Sequence, residues 1–209
     1  MVKTEKKDLR GLVKKIKACR KCSLPEGSYP VFSPVFSAKI ILIGQAPGKE
    51  EIEKGTPFIG KAGRRLFDWL EKVGIKEGDF RKKVYITQVM KCFPGKGKRG
   101  DLKPKGEHLV NCLPYLRDEI KKLDPKVLIP VGSLAINNIL GRRRLKEVVG
   151  KIFEIDLLGK KRFVIPLPHP SGLSVWSFKR ENLLRIEKAV KILSKYFSSP
   201  EAKDRINLS

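Results

Sequence analysis

A chain of 209 residues, 41% hydrophobic and 33% charged, can bury a sizeable core, which excludes a disordered polymer. No apolar run reaches the roughly 20 residues of a membrane span, and the charged segment from Met1 to Asp8 has no apolar signal core, so the expected location is the cytoplasm. The net charge of +24 exceeds what solubility requires and points to an acidic partner, nucleic acid ahead of an anionic membrane, with a generally Lys-rich surface as the alternative.

Leu9, Leu12, Val13 and Ile16 recur at helical spacing and predict a helix over residues 5–18, ending at the Cys19-x-x-Cys22 pair. A Pro/Gly/Ser-rich loop from Ser23 to Ser37 leads into Ile40–Ile43, an aliphatic run suited to a strand buried on both faces. It stops at the turn Gly44-Gln45-Ala46-Pro47-Gly48. Glu50 to Gly55 reads as a short acidic turn, Thr56 to Gly60 as a rigid loop, and Gly63 to Val73 as an amphipathic helix. A second strand, Val84–Met90, ends at Lys91-Cys92, and a Gly/Lys/Pro loop runs from Phe93 to Gly106. A helix over His108–Leu123 carries Cys112; a buried strand follows at Lys126–Gly132, then a helix through Leu140 with Ser133 as its N-cap. The basic triplet Arg142-Arg143-Arg144 precedes an edge hairpin over Val148–Leu158. The strand Phe163–Leu167, the loop Pro168-His169-Pro170-Ser171 and a helix over Glu181–Phe197 close the order.

Strands alternating with helices indicate a three-layer α/β/α sandwich with a mainly parallel central sheet. Residues 1–198 are expected to form one domain and 199–209 a flexible tail, the stretch in which a replication-clamp contact would lie; the expected state is a monomer. Ligands of open α/β sheets bind beyond the carboxyl ends of the strands, so the three polar strand ends at Gly44, Gln88 and His169 are the candidate crevice. Gln45 and Gln88 are the only two glutamines, and each stands at one of those ends; scarce Gln with abundant Lys and Glu also hints at a thermophilic source. His169 lies between two prolines that fix its backbone, whereas His108 at a helix start has no such setting. Phe58, flanked by Pro57 and Gly60, is either a core residue or an aromatic platform for a planar base.

Four thiols in a reducing compartment, Cys19, Cys22, Cys92 and Cys112, suggest a metal site rather than disulfides. Four thiolates serve Zn²⁺ or an iron–sulfur cluster, and the spacing alone does not choose.

Four segments together resemble the uracil-DNA glycosylase superfamily, most closely its iron–sulfur family 4: Gly44–Glu51, Thr56–Gly63, Tyr85–Cys92 and His169-Pro170-Ser171. The resemblance spans Cys19 to the last helix and favours a [4Fe–4S] cluster over Zn²⁺. It implies an enzyme that flips uracil from single- or double-stranded DNA and hydrolyses its glycosidic bond. By this resemblance Phe58 stacks on the flipped base, Gln88 reads its edge, and His169 faces a pyrimidine oxygen. Gln45, with the amides about Gly44, Ala46 and Gly48, holds the attacking water and the base; Glu51 organises the loop or the water. Ser171 and Leu173 belong to a loop that enters the duplex, and Lys96, Lys98 and Arg99 sit in a basic loop that meets phosphates. Two departures stand out: the family carries Glu where Gln45 stands and Asn where Gln88 stands. The longer amide makes other deaminated bases, such as hypoxanthine, conceivable substrates; a catalytically weak damaged-DNA-binding protein is a further alternative.

Overall fold

A computed structural model describes residues 2–98, 100–171 and 175–198, with side chains described from residue 8 onward and not at 175. Its elements run α1 (Val2–Lys17), β1 (Ile40–Gly44), α2 (Lys49–Lys54), α3 (Lys61–Glu71), α4 (Glu77–Lys83), β2 (Val84–Gln88), β3 (Lys96–Gly97), β4 (Gly100–Asp101), α5 (Gly106–Leu123), β5 (Val127–Pro130), α6 (Ser133–Leu140), α7 (Leu145–Val148), β6 (Phe153–Leu157), β7 (Lys160–Val164) and α8 (Arg180–Ser198), with a 3₁₀ turn at Val175–Phe178 before α8.

The main sheet has the order β2-β1-β5-β7-β6. β1 is parallel to both neighbours, β5 is parallel to β7, and only the edge strand β6 runs antiparallel. Strand alternation sorts the core into two layers. Ile40 and Leu42 of β1 face one way, onto Leu66, Leu70, Ile186 and Leu193 of α3 and α8. Ile41 and Ile43 face the other way, onto Leu12, Ile16, Leu116 and Ile120 of α1 and α5. Helices therefore cover both faces, which is why the central strands are unbroken aliphatic runs. Among the described residues no helix is long and apolar enough to cross a membrane.

Several boundaries depart from expectation. The stretch Glu50–Gly55 is not a turn but helix α2 (Lys49–Lys54) and its C-cap: Gly48 caps the start, and Gly55 ends it in the left-handed conformation. α4 was not anticipated, because Phe80 is its one buried residue and a single apolar side chain leaves no period to read. Gly132, not Ser133, is the N-cap of α6; its φ of +87° suits glycine. The hairpin starts at Phe153, not Val148, and its second strand is β7, so Ile165–Leu167 continues beyond the ladder as extended chain held by Pro130 and Gly132. The basic loop contains the small β3–β4 hairpin. His108 is buried and accepts the Lys105 N–H on Nδ1 at 3.1 Å, a capping role at the start of α5.

Candidate active site and cysteine cage

Parallel pairing sets the strand ends side by side. Gly44 stands opposite Gln88 in register, and Ile43 opposite Pro130. Beyond Pro130, Val131 bridges to Leu167 and the Gly132 N–H donates to Leu167 O at 2.9 Å, which carries the chain from β7 to His169 on the same edge. The order along the edge is thus Gln88, then Gly44 one strand spacing of ~4.8 Å away, then Gly132 just past the end of β5 with His169 over it.

Two glycines make room for the rings. A β-carbon on Gly44 would stand 2.8 Å from the tip of the Phe58 ring and 3.1 Å from Gln88 Cγ. A β-carbon on Gly132 would stand 3.2 Å from His169 Cβ and 3.3 Å from its Cδ2. Phe58 is buried with the tip of its ring over the end of β1, next to the Gln88 side chain, and the imidazole lies on the end of β5. Phe58 and Gln88 thus meet at Gly44, while His169 stands at Gly132, the next strand end along the same edge of the sheet.

Gln88 is 1% exposed, and among the described residues neither Oε1 nor Nε2 has a hydrogen-bond partner. A buried primary amide in that condition costs ~1–3 kcal/mol for each unpaired group. Its backbone, by contrast, is firmly held. Lys91 Nζ donates to Gln88 O at 2.6 Å, to Thr87 Oγ1 at 2.8 Å and to Glu119 Oε2 at 2.6 Å, using all three of its protons. Tyr85 Oη donates to the same carboxylate at 2.9 Å. Burial and the adjacent Glu119 push the Tyr85 phenol well above its usual range, so it stays a donor.

His169 is buried enough that its pKa falls below the usual imidazole value, leaving the ring neutral. The Ser171 N–H donates to Nδ1 at 3.3 Å, which assigns the ring proton to Nε2. The side chain therefore offers one N–H donor and no charge.

Glu51 is buried on α2 and accepts two backbone protons: from Gly48 N on Oε2 at 2.9 Å and from Phe58 N on Oε1 at 2.5 Å. Burial dominates these bonds and raises its pKa from 4.5 to about 7, with Asp101 adding to the rise and Arg81 opposing it. Asp101, at the end of β4, brings its carboxylate to 3.0 Å from where a β-carbon of Gly48 would be. Burial raises its pKa while Lys96 lowers it.

Gln45 and Ala46 are half-buried at the loop, and the Gln45 carbonyl accepts from Met90 N at 3.0 Å. Ser171 adjoins His169, while Lys96 and Lys98 are exposed on the small hairpin. Leu173 and Arg99 lie outside the described residues. Reading by motif missed Arg81, Asp101, Glu119 and the use made of Lys91. A signal existed for Glu119: with Leu116, Ile120 and Leu123 it occupies the buried face of α5, where a lone carboxylate requires a cation.

The four thiols line one cavity of about 140 Å³, between the end of α1, the loop after β2 and α5. Burial first, then the neighbouring Cys112, Cys19 and Cys22, pushes the Cys92 thiol up to about 12. A side-chain donor reaches one of the sulfurs: Asn111 Nδ2 lies 3.3 Å from Cys22 Sγ. Among the described residues no three Cys, His, Asp or Glu side chains gather closely enough to hold a single metal ion.

A model of the uracil DNA glycosylase superfamily matches residues 30–194. The type-4 uracil-DNA glycosylase of Archaeoglobus fulgidus is 33% identical over 79% of this chain and 82% of its own length. That of Pyrobaculum aerophilum is 33% identical over 79% and 84%, and that of Thermotoga maritima 31% identical over 87% and 92%.

Proposed function

This chain belongs to the uracil DNA glycosylase superfamily, and we propose that it flips uracil out of DNA and hydrolyses its N-glycosidic bond, leaving an abasic site. The observation that carries the reading is the Gln88 amide: both its polar atoms are buried without a partner among the described residues, beside the Phe58 ring whose tip meets Gly44. Uracil presents N3–H and O4 side by side, one donor and one acceptor, which is the complement of a primary amide. Phe58 supplies the surface beneath the planar base.

Hydrolysis adds water across C1′–N1. The bond's electrons pass to the pyrimidine, whose charge collects on O2 and N1, and the sugar carries the opposite charge. A neutral His169 with its proton on Nε2 donates to the developing oxyanion without having to lose its own charge, the arrangement an oxyanion hole uses. Gln45 and the amides about Gly44, Ala46 and Gly48 orient the water and the base. Glu51 spends both oxygens on the backbone of Gly48 and Phe58, so its role is to hold the loop. The lysines of the small hairpin, the arginine triplet at 142–144 and the chain's net charge supply the phosphate contacts, and affinity for DNA should fall with salt.

His169→Ala is expected to lower uracil release by about 10²–10³-fold, the loss typical of one oxyanion donor. Affinity for an oligonucleotide with an abasic site should change little. The assay is alkaline cleavage after incubation with single- and double-stranded DNA carrying uracil or hypoxanthine; an unchanged rate takes His169 off the list. Hypoxanthine is included because the longer amide at 88 sets the reading group about one methylene further into the pocket than asparagine would.

For the cage, four thiols lining one cavity, with Asn111 donating to Cys22, fit a [4Fe–4S] cluster, the occupant that the family resemblance favours over Zn²⁺. Cys19, Cys22, Cys92 and Cys112 would hold it, and it would tie α1, the loop after β2 and α5 together. Purified protein should be brown, absorb near ~400 nm and carry about four irons per chain. Colourless protein with one zinc would return the cage to the other reading.

A further inference from the structure

Phe58 is a non-glycine residue at φ +56°, a left-handed conformation that is strained when a β-carbon is present. Such strain persists only where surroundings impose it, and here both of its backbone polar groups are taken by side chains. Glu51 Oε1 accepts the Phe58 N–H. On the opposite side, Arg81 of α4 donates from Nη2 to Phe58 O at 3.1 Å and from Nη1 to Pro57 O at 2.9 Å. The guanidinium is itself fixed: Nε donates to Glu77 Oε1 at 2.7 Å, and its plane lies over Phe67, 4.7 Å from the ring centroid. Gly63 opens the space for this arrangement, since a β-carbon there would fall 1.8 Å from Phe58 O.

We propose that Arg81 is a positioning residue for base excision: its fork grips the carbonyls of Pro57 and Phe58 and keeps the Phe58 ring over Gly44, beside Gln88, before DNA arrives. The proposal rests on the reading of Phe58 as the platform for a flipped base. A planar fork is suited to two adjacent carbonyls, which a lysine ammonium cannot span. With the grip released, nothing else among the described contacts of the Phe58 carbonyl opposes relaxation to negative φ, and relaxation swings the ring away from Gln88. The base then loses its stack and its register on the amide together. Arg81 never touches the substrate; its effect passes through Phe58.

Arg81→Met keeps an unbranched stem over Phe67 and removes the fork. Its kcat/KM on a uracil oligonucleotide should fall about 10²-fold, the cost of misplacing a reacting group by an ångström. The Kd for the same oligonucleotide with an abasic site should stay within twofold, and amide exchange at Phe58 in the DNA-free protein should quicken. Arg81→Lys, which preserves charge and is the safer variant for folding, should lose about tenfold. Unaltered Phe58 exchange in Arg81→Met, wild-type kcat/KM in either variant, or an equal loss of abasic-DNA affinity would overturn the proposal, the last by making Arg81 a phosphate contact. If the wild-type chain releases no uracil yet Phe58 exchange quickens in Arg81→Met, the substrate reading fails and the clamp stands.

Discussion

Replacing Gln88 with methionine is expected to stabilise the protein and to remove nearly all of its uracil release. The two effects share one cause. The Gln88 amide is desolvated by the folded chain and repaid by no described residue, so the free protein carries the cost of two unpaired polar atoms. Methionine keeps the unbranched Cβ–Cγ stem that packs against Gly44 and replaces the amide with a thioether content in apolar surroundings. A gain of about 2 kcal/mol follows, or ~4–8 °C in Tm for a chain of this length. Activity moves the other way: a site built around a donor and an acceptor loses about 10³-fold or more when both are gone, because the base edge is then left unpaired. Thermal melts of the two proteins and kcat/KM on one uracil oligonucleotide are sufficient. A lower Tm in the variant would show that the amide is paired in the free protein. Full activity would remove Gln88 from base recognition.

This stability penalty at one residue marks the boundary of what a sequence can disclose. The strand ends were legible, since Ile40–Ile43 and Val127–Ile129 are aliphatic runs that stop at glycine or proline, and such runs in an α/β chain announce parallel strands. The order β2-β1-β5-β7-β6 was not, because pairing partners distant in the chain leave no local period. The candidate residues Phe58, Gln88 and His169 could be named from their motifs; that Phe58 touches Gly44 and His169 touches Gly132 depends on register, which only coordinates supply. Arg81 was hidden for a different reason. It sits among Glu77, Asp79, Lys82 and Lys83 on a short charged helix, and composition cannot tell the one cation that turns inward from those that stay in water. Lys91 and Glu119 were hidden likewise, 28 residues apart in sequence and 2.6 Å apart in space.

The pH dependence of activity and of stability should run in opposite directions through the same group. Glu51 has its pKa raised from 4.5 to about 7, chiefly because folding buries it, with Asp101 adding and Arg81 subtracting. A raised carboxyl pKa means the folded chain holds a proton that the unfolded chain has released. Stability from this group is therefore complete below pH 4.5, declines as pH rises to about 7, and is flat beyond; the decline amounts to about 3 kcal/mol. Activity follows the ionised form. Only a carboxylate accepts at both oxygens, and both are needed, one for Gly48 N and one for Phe58 N. Protonation turns one oxygen toward an N–H with a proton of its own and loosens the loop or the platform. Hence kcat/KM should rise with pH through an acid limb near 7 while Tm falls over pH 4.5 to 7. Glu51→Gln separates this from any other titration: its single acceptor oxygen serves one backbone N–H, and its NH₂ opposes the second. The variant should lose about tenfold in kcat/KM at pH 8, show no limb at 7, and melt with no slope across that interval. A limb that survives in Glu51→Gln belongs to another group. The carboxylate is thus kept in a place that costs stability at working pH because, ionised there, it grips the two backbone amides that shape the site.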